Sequence, residues 1–211
     1  MHQNPIGFFD SGVGGLSVLK HAIKVMPEEN YIYFGDSLNA PYGTKTNEQV
    51  FNLTRAGINK LIVQNVKAIV VACNTATSIA VDELRKTTKI PIISMEPAIK
   101  PALEKTDGNV LLLATNVTLS SKRVNNLIEK YDLNNRVIKL PCPELAKKIE
   151  EAVFEQCLAR GKGRLGVGVI IAAILRETGS VLALQQKPAD LRYRRLLKLQ
   201  GSEVVELENN P

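Results

Sequence analysis

The strongest constraint on the fold is an alternation of short apolar runs with helical patterns. "IGFFD" at 6–10, "YIYFGD" at 31–36, "KAIVVAC" at 67–73, "IPIISM" at 90–95, "NVLLLAT" at 109–115 and "RVIKLPC" at 136–142 are each bounded by turn residues. Runs of this kind read as buried strands. Between them lie "GGLSVLKHAIKVM", "EQVFNLTRAGINKLIVQN", "VDELRKTT", "EPAIKPALEK", "SSKRVNNLIEKY" and "PELAKKIEEAVFEQ", whose apolar residues recur at helical spacing. Strand then helix, repeated, predicts an α/β fold of parallel strands with helices on both faces. In such sheets ligands bind beyond the carboxyl ends of the strands. The polar clusters of this sequence fall there.

At 211 residues the chain has room for one large domain or two small ones. "SMEPAIKP", with two prolines close together, marks a boundary near 95–100. After about residue 158 the character changes to a glycine-rich basic patch, two apolar runs and a charged end. A strand or buried helix is expected at Val167–Leu175 and a strand at Val181–Leu184. The expected division is 1–95, carrying Asp10, Tyr42 and Cys73; 96–157, a partial second α/β unit; and 158–211, a divergent tail.

The net charge of +6 raises the question of nucleic acid. Its densest group, "LRYRRLLKLQ" at 191–200, reads instead as a solvated helix face, since no nucleic-acid motif accompanies it. No apolar run approaches the ~20 residues needed to cross a bilayer. "MHQNPIGFFDSG" at 1–12 has no basic start and no long apolar segment, so no secretion signal is expected. Three cysteines without regular spacing form no disulfide framework, and a cytoplasmic location fits. Neither nucleic acid nor membrane is an expected partner. His2 and His21 have no ligand spacing to the cysteines, so no metal and no cofactor are expected, and no histidine suits a Ser-His-Asp triad.

Three clusters carry chemistry. In "FFDSGVGGLS" Asp10 and Ser11 stand at a strand tip, followed by glycines that allow a tight turn into a helix N-terminus. The bland reading is a capped βα turn. A phosphate-loop reading fails the spacing of both common motifs, and Asp36 is the nearest, poorly placed, ribose partner. In "YFGDSLNAPYGTKT" the stiff Pro41-Tyr42-Gly43 turn offers backbone groups and a phenol. In "AIVVACNTATS" Cys73 ends a strand, with Asn74 and Thr75 behind it and a helix expected from Thr77 or Ser78. A thiol at a helix N-terminus has its thiolate favoured by the dipole. An isolated cysteine of this kind is usually structural. Three polar strand tips converging on one crevice favour a site.

"FDSGVGGLSV", "YFGDSLNAPYGTK" and "ACNTAT" together resemble the glutamate racemases of the Asp/Glu racemase family. The resemblance continues through "ISMEPAIKPA", "LLATNVTLSS" and "LPCPELAKKIEE", and covers about residues 5–155. It implies two similar small parallel-sheet α/β domains facing across a crevice, the second incomplete here. It implies cofactor-independent inversion of glutamate, L to D, for peptidoglycan and cell-wall synthesis, by acid/base transfer between two cysteines. By resemblance Cys73 is one base and Asp10 assists it. Ser11, Pro41, Tyr42, Gly43, Asn74, Thr75 and Thr118 bind the substrate, and Glu150 matches a glutamate near the second base. A homodimer is left open.

The family's second cysteine lies in a Gly-Cys-Thr-His segment that has no counterpart here. Cys142 matches a different Cys-Pro, and Cys157 matches nothing. Two origins compete: a deletion or change of reading frame near residue 158, favoured by the abrupt end of the match, or a divergent relative. An inactive protein that binds acidic amino acids and an aspartate racemase are the alternatives. Unpartnered apolar runs in the tail are expected to favour aggregation.

Overall fold

A computed structural model describes residues 4–159, 181–185 and 195–198. Its first sheet has strand order β4-β3-β1-β2-β7-β8. The first four strands, β1 (Ile6–Asp10), β2 (Tyr31–Gly35), β3 (Ala68–Val71) and β4 (Ile92–Ser94), are parallel. Every residue of β1 and β2 is buried, as near-continuous apolar runs in a helix-covered sheet require. Gly7 and Phe9 face β2 and β3 through aligned registers, so the tips of β1, β2 and β3 end side by side.

Helices cover both faces. One core joins Phe9, Phe34, Val50, Ile58, Leu61, Ile69, Val71 and Val81 beneath α2 (Asn47–Ile62) and α3 (Asn74–Thr87). The other joins Phe8, Leu19, Tyr31 and Tyr33 beneath α1 (Leu16–Val25). α2 starts where Thr46 accepts from the Gln49 N–H while the Gln49 side chain accepts from the Thr46 N–H. This reciprocal cap satisfies two donors that a helix start would otherwise leave unpaired.

The second half holds α4 (Ile99–Lys105), β5 (Val110–Ala114), α5 (Asn116–Ser120), α6 (Lys122–Tyr131), β6 (Val137–Pro141) and α7 (Leu145–Ala159). β5 and β6 form a parallel two-stranded sheet. One face packs Val110, Leu112 and Val137 against Ile99, Leu103 and Val124. Arg123, at the start of α6, ties this half to the first. Its Nε donates to Glu96 Oε1 at 2.7 Å and its guanidinium to Asp82 Oδ1 of α3 at 2.6 Å.

One expectation about the tail holds and another needs correction. The strand at Val181–Leu184 exists, as β7 (Val181–Gln185), but it joins the first sheet antiparallel to β2. That sheet is therefore mixed. Within the basic stretch read as a helix face, Arg195–Lys198 is instead strand β8, antiparallel to β7. The expectation at Val167–Leu175 lies outside the described residues. Among the described residues, no helix is long and apolar enough to cross a membrane.

Among the described residues, the second face of β5–β6 is exposed. Register pairs Leu111 with Ile138 and Leu113 with Leu140, and all four are exposed, Leu113 by 52%. Leu145 and Ile149 of α7 are also exposed. A contiguous apolar patch of this kind binds hydrophobic dyes and self-associates. Leu113→Lys is expected to lower 1-anilinonaphthalene-8-sulfonate fluorescence and to reduce light scattering on concentration. Unchanged dye binding would show that the patch is covered in solution.

Candidate functional site

The site grows from three strand tips. β1 ends at Asp10, whose carboxylate is buried and accepts from the Gly12 N–H at 3.0 Å. Burial pushes its pKa up, against hydrogen bonds from the Gly12, Gly15 and Ser11 N–H groups and from Tyr33. Tyr33 lies beneath the turn and donates to the Gly12 carbonyl at 2.9 Å. Glycine is required in this turn. A Cβ on Gly15 would meet Asp10 Cβ at 2.8 Å and Ala72 Cβ at 2.9 Å, and one on Gly12 would collide with the Glu150 carboxylate.

β3 leads through Ala72 to Cys73, which caps α3. Cys73 is 7% exposed. Its thiol donates to Ser11 Oγ at 3.3 Å, and its sulfur accepts from the Ala76 N–H at 3.4 Å. α3 begins at Asn74, not at Thr77 or Ser78. The polar Asn-Thr pair is its first turn. Asn74 is exposed and Thr75 is buried.

The expectation of a favoured thiolate is also corrected. The Cys73 pKa is pushed up to about 11, first by burial and then by the Asp10 charge. The Ser11 and Ala76 hydrogen bonds pull it down and do not prevail. A helix terminus carries only about half a charge, worth at most about 2 kcal/mol. Here burial of the thiol outweighs it.

β2 leads to the loop around Pro41, and the Ala40–Pro41 peptide is cis. The Tyr42 phenol does not face the crevice as expected. It is buried and donates to Asp36 Oδ2 at 2.6 Å. The Pro41–Gly43 stretch therefore presents backbone. Gly43 packs on Thr115, with which any Cβ there would collide.

This contact joins the halves. Thr115 caps α5, and Thr75, Thr115 and Thr118 form a triangle of hydroxyls with edges of 3.3, 3.2 and 3.0 Å. Gly43→Ala forces Thr115 away and is expected to lower the melting temperature, at a cost of about 1–3 kcal/mol for overpacking. Calorimetric unfolding checks this, and an unchanged melting temperature would show that the loop yields freely.

Glu150 reaches the site from α7. Its Oε1 accepts from the Val13 N–H at 3.3 Å, across 137 positions of sequence. With Ser37, Ala40, Pro41, Lys147 and Glu151 it lines a cavity of about 160 Å³. Asp10, Ser11, Gly43, Cys73, Thr75, Thr118 and Glu150 thus all lie around one junction. Tyr33 and Thr115 are additions that sequence reasoning missed, and Asp36, weighed there only as a ribose partner, is a third. Tyr33 shares strand parity with Tyr31 and packs in the same core. Thr115 precedes a helix, which is a visible capping signal. The side chain of Cys157 lies outside the described residues. Among the described residues no group of three or more His, Cys, Asp or Glu could hold a metal ion.

A thiol, a buried carboxylate and a cluster of hydroxyls thus meet near the tips of the parallel strands. The chain belongs to the Asp/Glu/Hydantoin racemase family, whose pattern matches residues 17–173. The glutamate racemase of Clostridium acetobutylicum is 55% identical over 155 residues, which is 72% of this chain and 60% of that one. This chain therefore spans about 60% of the length of the curated relatives it matches. The Francisella tularensis glutamate racemase, solved with D-glutamate, is 29% identical with a TM-score of 0.64, covering 83% of this chain and 74% of that one. The glutamate racemase of Aquifex pyrophilus is 31% identical with a TM-score of 0.61, covering 76% and 68%.

Proposed function

We propose that this chain binds glutamate at the β1–β2–β3 tips and exchanges its α-proton through Cys73, the chemistry of a cofactor-independent glutamate racemase. The observation that carries the reading is the Cys73 thiol, 3.3 Å from Ser11 Oγ and beside Asp10, at the point where Thr75 meets Thr118. The D-glutamate bound to the Francisella relative supports the substrate.

The resting thiol is protonated, as a buried sulfur beside a carboxylate must be. An arriving substrate ammonium offsets the charge of the forming thiolate and so favours it. The Ser11 hydroxyl then reverses its hydrogen bond and donates to sulfur. Asp10, its own pKa raised, accepts the thiol proton more readily than a solvated aspartate. The thiolate removes the α-proton while hydroxyls and N–H groups of Asn74, Thr75 and Thr118 hold the α-carboxylate. Charge building at the α-carbon is stabilised by donors fixed in advance. The Pro41–Gly43 backbone grips the distal carboxylate. Two units, 1–95 and 96–157, close on the substrate, and the product D-glutamate serves peptidoglycan synthesis in the cytoplasm.

A second reading, an acidic-amino-acid-binding protein without turnover, is favoured by one observation. The thiol pKa of about 11 leaves little thiolate at neutral pH unless substrate lowers it. Incubation of each glutamate enantiomer in deuterium oxide separates the readings. Loss of the α-proton NMR signal from at least one enantiomer is expected. One working base gives exchange from one enantiomer with slow net inversion. Binding without exchange from either would leave only the second reading, and absence of binding would remove both.

A further inference from the structure

Asp36 takes no part in the proposed proton transfer, yet its carboxylate is buried at the tip of β2. A buried carboxylate is costly unless several donors satisfy it. Here the Tyr42 hydroxyl donates to Oδ2 at 2.6 Å, and Asn39 Nδ2 lies 2.9 Å from Oδ1 and 3.1 Å from Oδ2. The backbone is joined as well. The Asp36 N–H donates to the Asp10 carbonyl at 3.0 Å, and the Asn39 N–H to the Asp36 carbonyl at 3.0 Å. One residue therefore links the strand tip that carries Asp10 to both 3-10 turns of the loop, Ser37–Asn39 and Tyr42–Thr44.

The Tyr42 ring is fixed from a second side by Phe9, with centroids 6.3 Å apart. The next residue, Gly43, packs on Thr115, which touches Thr75 and Thr118. The height of Tyr42 thus sets where the Pro41–Gly43 backbone stands and where the threonine triangle closes. We propose that Asp36 is a positioning residue: by holding the Tyr42 hydroxyl it sets the Pro41–Gly43 backbone and the Thr115–Thr118 corner at the spacing that grips the substrate. This inference rests on the glutamate reading above.

Asp36→Asn, Asp36→Ala and Tyr42→Phe in the full chain test it, with glutamate affinity measured by calorimetry and α-proton exchange by NMR at saturating glutamate. Asn keeps an oxygen that accepts from Tyr42, so Asp36→Asn is expected to hold Kd within about threefold of the parent. Asp36→Ala and Tyr42→Phe lose the anchor and are expected to raise Kd about tenfold or more, with the loss falling mainly on Kd rather than on the saturated rate. Tyr42→Phe retains the whole packed ring, so it serves if Asp36→Ala does not fold. Parental Kd in a folded Tyr42→Phe or Asp36→Ala variant would overturn the inference. So would Asp36→Asn as weak as Asp36→Ala, which would mean that the charge acts directly. A loss confined to the saturated rate would also overturn it. Failure of the parent chain to bind glutamate would remove the function and this inference together, whereas parental binding with unmoved variants removes the inference alone.

Discussion

Cys73→Ser is expected to cut α-proton exchange from glutamate by about a hundredfold to ten-thousandfold, the range of a positioned acid/base group. Glutamate affinity is expected to change little. Serine keeps a small polar group able to donate and accept at this position, but a serine hydroxyl is not a base near neutral pH. A Cys73→Ser protein that exchanges at the parental rate would show that another group takes the proton. Calorimetric Kd beside the NMR rate distinguishes lost chemistry from lost binding.

The second large effect is on pH. Alkylation of Cys73 by iodoacetamide needs the thiolate. With the folded pKa pushed up to about 11, the rate is expected to rise roughly tenfold per pH unit between pH 8 and 10 and to level near 11. Asp10→Asn removes the charge that helps raise the pKa, so its alkylation curve is expected to shift to lower pH. A shift upward would show that the Asp10 charge does not oppose the thiolate. Stability follows from the same numbers. The folded thiol titrates above its unfolded value of 9.0, so its contribution is fully present below about pH 9 and is lost as pH rises towards 11. Two units correspond to about 3 kcal/mol for a fully buried group. Cys73→Ala should therefore lose less stability than the parent between pH 8 and pH 10.5, read from denaturant midpoints at each pH.

The residues that could be placed from sequence were those whose environment is local. Ile6–Phe9 and Tyr31–Phe34 are dominated by apolar and aromatic residues because both faces are covered, and their ends mark the tips where Asp10 and the Pro41 loop stand. Cys73 was legible for the same reason. The start of α3 was misplaced because Asn74 and Thr75 look like loop residues. They are helical because the cysteine sulfur itself caps the Ala76 N–H. The direction of the Tyr42 phenol depends on a carboxylate at Asp36, and nothing in "APYG" states that partner.

The thiol's acidity depends on how deeply it is buried and on the Asp10 charge beside it, which local pattern does not report. Thr118 and Glu150 were legible only through resemblance. Glu150 reaches Val13 from 137 positions away, a contact that requires the whole topology. The strand at Val181 was visible as an apolar run, but its pairing with β2 was not, because an apolar run does not state which sheet edge it will join.

The central claim is that bound glutamate lies against the Cys73 sulfur, and alkylation protection measures this most directly. Intact protein is treated with iodoacetamide at pH 9 with and without saturating glutamate, and modification is mapped by mass spectrometry. The half-buried Cys142 serves as an internal reference. The account predicts that glutamate slows labelling of Cys73 about tenfold or more while Cys142 labels at an unchanged rate. Equal labelling of Cys73 with and without glutamate, under conditions where calorimetry shows glutamate bound, would contradict it.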